Sequence, residues 1–317
     1  MITVLAGGVG AARFLEGLAR VVAPAEVTVI VNTGDDEEFF GLHVSPDIDT
    51  VIYTLSGRVD PERGWGLAGD TFACLEALAF LGQDTWFRLG DADLATHIHR
   101  TQLLRQGRTL SEATASIAAA FGLATTVLPM SDEPVRTQVV TPAATLPFQE
   151  YFVRRAFQDP VQGVHFRGVE SARPAPGVVE ALLGADAVVI APSNPLVSIG
   201  PILAVPGIRE ALVETPAPVA AISPIVGGKA LKGPADRMMA GLGLVVSARG
   251  VAELYRDFLD IMVLDSADEA LAPQVRSLEI VPVVTNTVMR SASDKAALAA
   301  ATLRALGQES CESPSSL

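Results

Sequence analysis

The residue types this chain uses most sparingly gather where chemistry could be done. Lysine occurs only at Lys229, Lys232 and Lys295, and two of these lie three apart in Gly227-Gly228-Lys229-Ala230-Leu231-Lys232-Gly233. Glycines let backbone N–H groups approach an anion, and ammonium groups add compact charge, so this stretch reads as a phosphate-binding loop. The plainer alternative is a solvated turn carrying two surface lysines. Asparagine is equally scarce: Asn32, Asn194 and Asn286 each follow a short apolar run. If those runs are parallel strands, all three mark the carboxyl edge at which open α/β sheets bind ligands. A turn needing a side-chain hydrogen bond explains any one of them as well.

Carboxylates cluster in the first third of the chain at Asp35, Asp36, Asp47, Asp49, Asp70, Asp91 and Asp93. Asp70 and Asp93 suit helix caps. A Mg²⁺ site, by contrast, needs only one or two such carboxylates beside phosphate and water. Arg88 precedes Leu89-Gly90-Asp91 and is either a salt-bridged structural residue or a planar donor fork for a ligand. Gly7-Gly8-Val9-Gly10 follows the first apolar run and could hold phosphate at a helix N-terminus. As a dinucleotide fingerprint it is incomplete, because Arg13 fills the third glycine position and no acidic residue is placed for a ribose, so a nicotinamide dehydrogenase is disfavoured. His97 and His99 have no third ligand nearby in sequence, which argues against zinc. Ser193 and Ser223 lack the Gly-x-Ser-x-Gly elbow of hydrolases.

The elements that must carry these residues alternate almost from end to end. Apolar runs predict strands at Ile2–Ala6, Glu26–Val31, Thr85–Leu89, Ala187–Ala191, Val219–Ser223, Gly243–Val246, Ile261–Leu264 and Ile280–Val284. Helical spacing predicts helices at Ala11–Val22, Gly69–Leu81, Asp93–Arg105 and Ser111–Phe121. Continuous rather than alternating apolar runs imply strands covered on both faces, and thus a Rossmann-like α/β fold with a mostly parallel sheet wrapped by helices. Mixed runs between Val135 and Val164, including Phe148–Val153, suggest antiparallel strands. Residues 92–178 therefore read as a helical and β insertion between core segments 1–91 and 179–307, with a disordered polar tail at 308–317.

Composition narrows the function. The chain has 317 residues, 49% hydrophobic and 19% charged, and a net charge of −13, which disfavours nucleic acid and anionic membranes as partners. The best uncharged stretch, Ala187–Ile208, is broken by four prolines, so no spanning helix is expected. Two cysteines supply no disulfide framework, and no basic segment precedes the first strand; both points favour a soluble, cytoplasmic protein.

Seven ordered motifs together resemble one family. They are Leu5–Arg13, Asn32-Thr33-Gly34-Asp35-Asp36, Ser45-Pro46-Asp47-Ile48-Asp49-Thr50, Arg63–Thr71, Trp86–Asp91, Ala191-Pro192-Ser193-Asn194-Pro195 and Gly227–Ala235. They are similar to the 2-phospho-L-lactate transferases of coenzyme F420 biosynthesis, across nearly the whole chain. One departure is Ala11, where relatives often carry glycine. The resemblance implies that a ribityl hydroxyl of the deazaflavin FO attacks a phosphate of a guanosine-diphospho-linked three-carbon acid, releasing GMP. That acid is lactate-derived or phosphoenolpyruvate-derived, and the arginine- and alanine-rich composition leans to the second. The resemblance further implies FO contacts at Asp49 and Arg88, with Asp49 the catalytic carboxylate. Gly7, Gly8 and Gly10 would lie near the diphosphate, Asn32 and Asp91 at the substrate, and Ser193, Asn194, Lys229 and Lys232 on the nucleotide side. Mg²⁺ would sit on Asp35 and Asp49, in a homodimer. The main rival is a nucleotide-sugar-binding regulatory factor of the related gluconeogenesis-factor type, against which stand Arg63–Thr71 and Trp86–Asp91.

Overall fold

A computed structural model describes residues 1–308; the expected disordered tail falls, but for Gln308, outside the described residues. Strands follow in chain order: β1 (Ile2–Ala6), β2 (Val27–Val31), β3 (Glu37–Phe39), β4 (Leu42–Val44), β5 (Thr126–Pro129), β6 (Arg136–Val140) and β7 (Thr145–Pro147). They continue with β8 (Gly163–Arg167), β9 (Ala187–Ile190), β10 (Val219–Ile222), β11 (Ile225–Val226), β12 (Lys229–Ala230), β13 (Ile261–Asp265) and β14 (Val281–Thr285). The helices that matter for the site are α1 (Gly8–Leu18), α2 (Pro46–Leu55), α3 (Ala73–Phe80), α4 (Asp91–Arg105) and α5 (Leu110–Ala120).

Seven strands form one parallel sheet in the order β14-β13-β10-β9-β1-β2-β5. This is the α/β fold expected. Strands β1, β2, β9, β10 and β13 are buried at every position because an apolar core packs on each face of the sheet. After β1 the chain winds outward through β2 to β5, then returns to the other side of β1 for β9 and onward. The winding direction reverses between β1 and β9, so the loops leaving those strands diverge and open a crevice at the carboxyl edge.

Residues 92–178 supply α4, α5, edge strand β5 and the separate antiparallel sheet β7-β6-β8. β5 pairs in register with β2, so the stretch expected as an insertion also completes the main sheet. Three local expectations are corrected. Thr85–Leu89 is an irregular loop, because Phe87 stacks on Phe39 at 4.1 Å and Trp86 meets Phe39 edge-on, so it docks by side chains on the β3–β4 hairpin instead of pairing its backbone. Gly243–Val246 is a loop between two helices, since β10 pairs directly with β13 and leaves no slot in the sheet. Within Phe148–Val153, Glu150 opens a single π-helical turn that runs to Arg154. The hairpin β3–β4 and the proline-initiated helix α2 were not anticipated. Among the described residues no helix is long and apolar enough to cross a membrane.

Candidate active site at the sheet's switch point

A cavity of about 780 Å³ occupies the crevice. Of the residues singled out from sequence, Gly7, Gly8, Gly10, Asp35, Asp49, Arg88, Ser193, Asn194 and Lys232 line it; Asn32, Asp91 and Lys229 do not. Arg13 and Arg290 also line it, and neither side chain has a hydrogen bond or ion pair among the described residues. Arg13 lies three residues past Gly10 and Arg290 five past the end of β14, so the strand-end rule that selected the asparagines would also have reached Arg290.

The glycine turn works differently from a simple phosphate cradle. α1 starts inside it, at Gly8, whose φ of +72° is left-handed and free of cost only for glycine. The Gly8 N–H donates to Asp47 Oδ1 at 2.7 Å, so a protein carboxylate holds that donor at the helix N-terminus. The Gly7 N–H reaches Ser193 Oγ at 3.4 Å. Gly10 is needed for close approach, since a Cβ there would lie 2.3 Å from the Pro192 carbonyl oxygen. The expectation that all three glycines aim N–H groups at a diphosphate is corrected for Gly7 and Gly8.

The scarce asparagines do stand past β2, β9 and β14, and all three accept a backbone N–H two residues on: Asn32 from Gly34, Asn194 from Leu196 and Asn286 from Val288. The ordinary turn role and the edge position are therefore one fact. Asn32 is fully buried and does more. Its Nδ2 donates to Asp35 Oδ1 at 2.5 Å and to Asp47 Oδ2 at 3.0 Å, so from behind the wall it holds two carboxylates that line the cavity. Burial, then the neighbouring charges of Asp47 and Asp36, pushes the Asp35 carboxyl well above its usual range. Burial likewise pushes Asp47 up to about 6 against hydrogen bonds from Asn32 and Gly8. Asp36 is tied to His43 at 2.9 Å and Ser45 at 2.7 Å, and its other oxygen is a buried orphan. Crowded, undercompensated carboxylates at a cavity wall fit a divalent cation, whose charge would lift the mutual repulsion.

Asp49 has a partner that sequence reasoning missed. Arg100 of α4, fully buried, grips both Asp49 oxygens with its two terminal nitrogens. His97 lies 3.6 Å from Asp49 through Nδ1 and 3.3 Å from Asp93 through Nε2, and the Tyr53 hydroxyl donates to Asp93 at 2.7 Å. Burial opposes charge on Asp93, but hydrogen bonds from His97 and Tyr53, with the Arg100 charge, hold its carboxyl below the usual value. Asp93 is thus part of a buried network and not a helix cap. The signal was available as helical spacing: Asp93, His97 and Arg100 fall on one face of α4, Asp49 and Tyr53 on one face of α2. Asp49, Asp93 and His97 each bring a ligand-type atom within 4.8 Å of the others, which reverses the sequence argument that His97 has no companions.

Asp91 and Asp70 make crossed caps. Asp91 accepts from the Ala73 and Cys74 N–H groups and from the Thr71 hydroxyl, so it caps α3; Asp70 accepts from Ala92 and Asp93 N–H groups and caps α4. Asp91 therefore positions the wall and is corrected as a substrate contact. Arg88 lies in the loop on the cavity wall, its guanidinium 4.2 Å from the Phe72 ring centroid, with Trp86 and Phe87 beside it on the wall. Gly227-Gly228 are both left-handed and turn the β11–β12 hairpin, whose Gly227 N–H is held by Asp268. Lys229 points out of this hairpin, exposed, whereas Lys232 beyond it reaches the cavity, where burial and the Arg13 charge lower its pKa.

A doubly wound sheet with crowded carboxylates, cations and an aromatic wall around one edge cavity defines an α/β protein with a concave small-molecule site at its switch point. The family model for the 2-phospho-L-lactate transferase CofD matches residues 2–303. A 2-phospho-L-lactate transferase from Methanococcoides burtonii is 42% identical over 288 residues, covering 91% of this chain and 94% of its own. A phosphoenolpyruvate transferase from Streptomyces griseus is 46% identical over 285 residues, covering 88% and 90%. The crystal structure of a UPF0052-family protein from Bacillus halodurans shares the fold, with a TM-score of 0.60 over 95% of this chain and 98% of that one at 16% identity. The chain belongs to the 2-phospho-L-lactate transferase CofD family, and it is a transferase.

Proposed function

We infer that the protein moves a phospho-three-carbon-acid group, phosphoenolpyruvyl or 2-phospho-L-lactyl, from a guanosine-diphospho donor to the ribityl hydroxyl of the deazaflavin FO. GMP leaves and the product is an F420-0-type phosphodiester. The observation that carries this reading is that one cavity joins the aromatic wall at Arg88, the carboxylates Asp35 and Asp49, and the cations Arg13, Lys232 and Arg290. A planar ring and an anionic donor can meet there.

Phosphoryl transfer depends mostly on aligning the attacking oxygen and on spreading negative charge. The Arg100 grip fixes the plane of the Asp49 carboxylate, so it can receive and orient the attacking hydroxyl from the cavity wall. Arg13, Lys232 and Arg290 supply fixed positive charge for the diphosphate and the departing GMP. Mg²⁺ would be held by Asp35, with Asp49 on the same wall, and supplies further charge relief when bound. The protein acts in the cytoplasm as a homodimer in this reading. The test offers FO, Mg²⁺ and each guanylylated acid to the purified protein and follows GMP and product by mass spectrometry. Turnover with one donor identifies the acid, and no GMP with either donor refutes the function.

A further inference from the structure

Helix α3 has the composition of a core helix and the position of a surface one. Seven of its eight residues are apolar, Glu76 being the exception, yet only Leu75 is buried. A helix that is apolar all round belongs in an interior, because none of its faces gains from water. Leu75 and the half-buried Leu78 fasten its inner side. At helical spacing the outer side carries Ala73, Ala77 and Phe80, with Cys74 and Leu81 on one flank and Glu76 on the other. Phe80 is 91% exposed and Leu81 73%, and Ile98 of the neighbouring α4 is 53% exposed. Single exposed apolar side chains are ordinary; a whole apolar helix standing in water marks a surface that something covers.

Shape, charge and extent select a second copy of this chain as the cover. The outer stripe is self-complementary: in an antiparallel pair crossing at Ala77, each Phe80 lands on the partner's Ala73, a bulky side chain on a small one, as a two-fold contact requires. Ala77 at the crossing lets the two axes approach to about 8 Å. A chain of net charge −13 meets its own copy at least cost where charge is sparse, and α3 carries only Glu76, with no cation to draw an anionic membrane. Sixteen residues of α3, the turn at 81–84 and α4 are exposed. At the roughly 30–40 Å² per residue of ordinary interfaces they supply about 1,000 Å² over both partners, the least that a specific contact needs.

We propose that α3 is a two-fold interface on which a second copy docks antiparallel over Ala73, Ala77 and Phe80, and that this docking steadies the aromatic wall of the transferase cavity. The proposal rests on the homodimeric transferase reading and names the surface that reading needs. Both ends of α3 are joined to the cavity wall. Asp91, three residues past Arg88, holds the first N–H groups of the helix, and the turn after the helix runs into Trp86, Phe87 and Arg88, which line the cavity. In that turn Asp84 pairs with Arg154 at 3.0 Å, and the Arg154 guanidinium lies 5.8 Å from the Trp86 ring centroid. The π-helical turn that brings Phe152 and Val153 to the cavity is thus tied to the same point. In one copy the Asp84–Arg154 pair is exposed, and an exposed pair holds weakly, so the anchor of the wall is incomplete until the turn is covered.

Sedimentation velocity of the full chain, from sub-micromolar to hundreds of micromolar, reads the association directly. The wild type forms a dimer, and Phe80→Glu weakens it at least a hundredfold; at dilutions where both are monomers the two melt alike, because Phe80 packs on nothing within its own copy. Glu76 meets the partner's Glu76 at the rim of the contact, so Glu76→Gln tightens the dimer. In a Cys74→Ser, Cys311→Ser background, Ala77→Cys crosslinks to its own copy on mild oxidation, whereas Val213→Cys, exposed elsewhere, does not. A wild type that stays monomeric, a Phe80→Glu dimer as tight as the wild type, or a Val213→Cys crosslink as fast as that of Ala77→Cys overturns the interface. FO affinity, followed by deazaflavin fluorescence, is at least threefold weaker in Phe80→Glu than in the dimer; equal affinity in monomer and dimer overturns the link to the wall. Absence of FO binding by either form refutes the transferase reading alone, because sedimentation and crosslinking judge the interface without it.

Discussion

Replacing Arg100 with methionine tests the tie between the buried network and the cavity. Arg100 has no exposed surface and Asp49 is 4% exposed, so the pair is cut off from water that could compensate a lone charge. Removing one partner of a buried ion pair costs about 3–5 kcal/mol, because the remaining charge stays desolvated. Against a total stability of about 5–15 kcal/mol this is a large share. Arg100→Met is expected to lower the urea midpoint accordingly, with an unchanged slope. FO binding, followed by deazaflavin fluorescence, should weaken at least tenfold, because the carboxylate proposed to orient the ribityl chain would no longer be held in plane. The double variant Asp49→Asn with Arg100→Met removes both charges and should regain more than half of the lost stability, but not FO affinity. Arg100→Met within about 1 kcal/mol of wild type, or a double variant as unstable as the sum of the singles, would refute the reasoning.

Gly8→Ala meets open space but a left-handed φ, an expected loss of about 1–2 kcal/mol, whereas Gly10→Ala drives a Cβ into the Pro192 carbonyl and should cost more stability and activity. Equal midpoints for the two variants would count against that distinction. Lys232→Ala should raise the donor KM about tenfold and Lys229→Ala less than twofold; the reverse order in a GMP-release assay would return the lysine role to the hairpin. The raised pKa values of Asp35 and Asp47 mean that the folded metal-free protein holds these protons more tightly than the unfolded chain. Their contribution is therefore complete below the ordinary carboxylate range and is lost as the pH rises through about 6 for Asp47. A divalent cation held by these carboxylates, as proposed, would offset that loss, so Mg²⁺ should raise the melting temperature more at pH 7.5 than at pH 5. An identical shift at both pH values argues against a carboxylate-held cation.

Much of the framework was legible because burial on both faces leaves a plain mark. β1, β2, β9, β10 and β13 fall within a residue of the apolar runs that predicted them, since a strand in a covered parallel sheet has no polar face to interrupt the run; β14 matches its run as closely although, at the sheet edge, it is partly exposed. Thr85–Leu89 and Gly243–Val246 are apolar without being strands: Trp86 and Phe87 are half-buried by docking on the β3–β4 hairpin, whereas Val245 stays exposed in a helix connection, and composition does not record which backbone, if any, lies beside them. The hairpin β3–β4 escaped notice because its strands are three residues each, too short for a period to show.

At the site, the sequence by itself determined which residues stand past the strand ends, because winding a parallel sheet sends every strand's carboxyl end to the same edge. That was enough to place Gly7 and Asn194 at this edge, whereas Asp35 and Ser193 entered as site candidates through the family resemblance. Only the tertiary structure decided what each does there. Gly8 spends its N–H on Asp47, Asp91 caps a helix it does not belong to, Asn32 clamps two carboxylates, and Arg100 reaches Asp49 across 51 positions. Each of these outcomes is a hydrogen bond between chemically interchangeable partners. A carboxylate can accept from a backbone N–H, an amide or a guanidinium, and only the packing of the elements that carry them, α2 against α1 and α4 against α5 and β4, fixes which donor meets it.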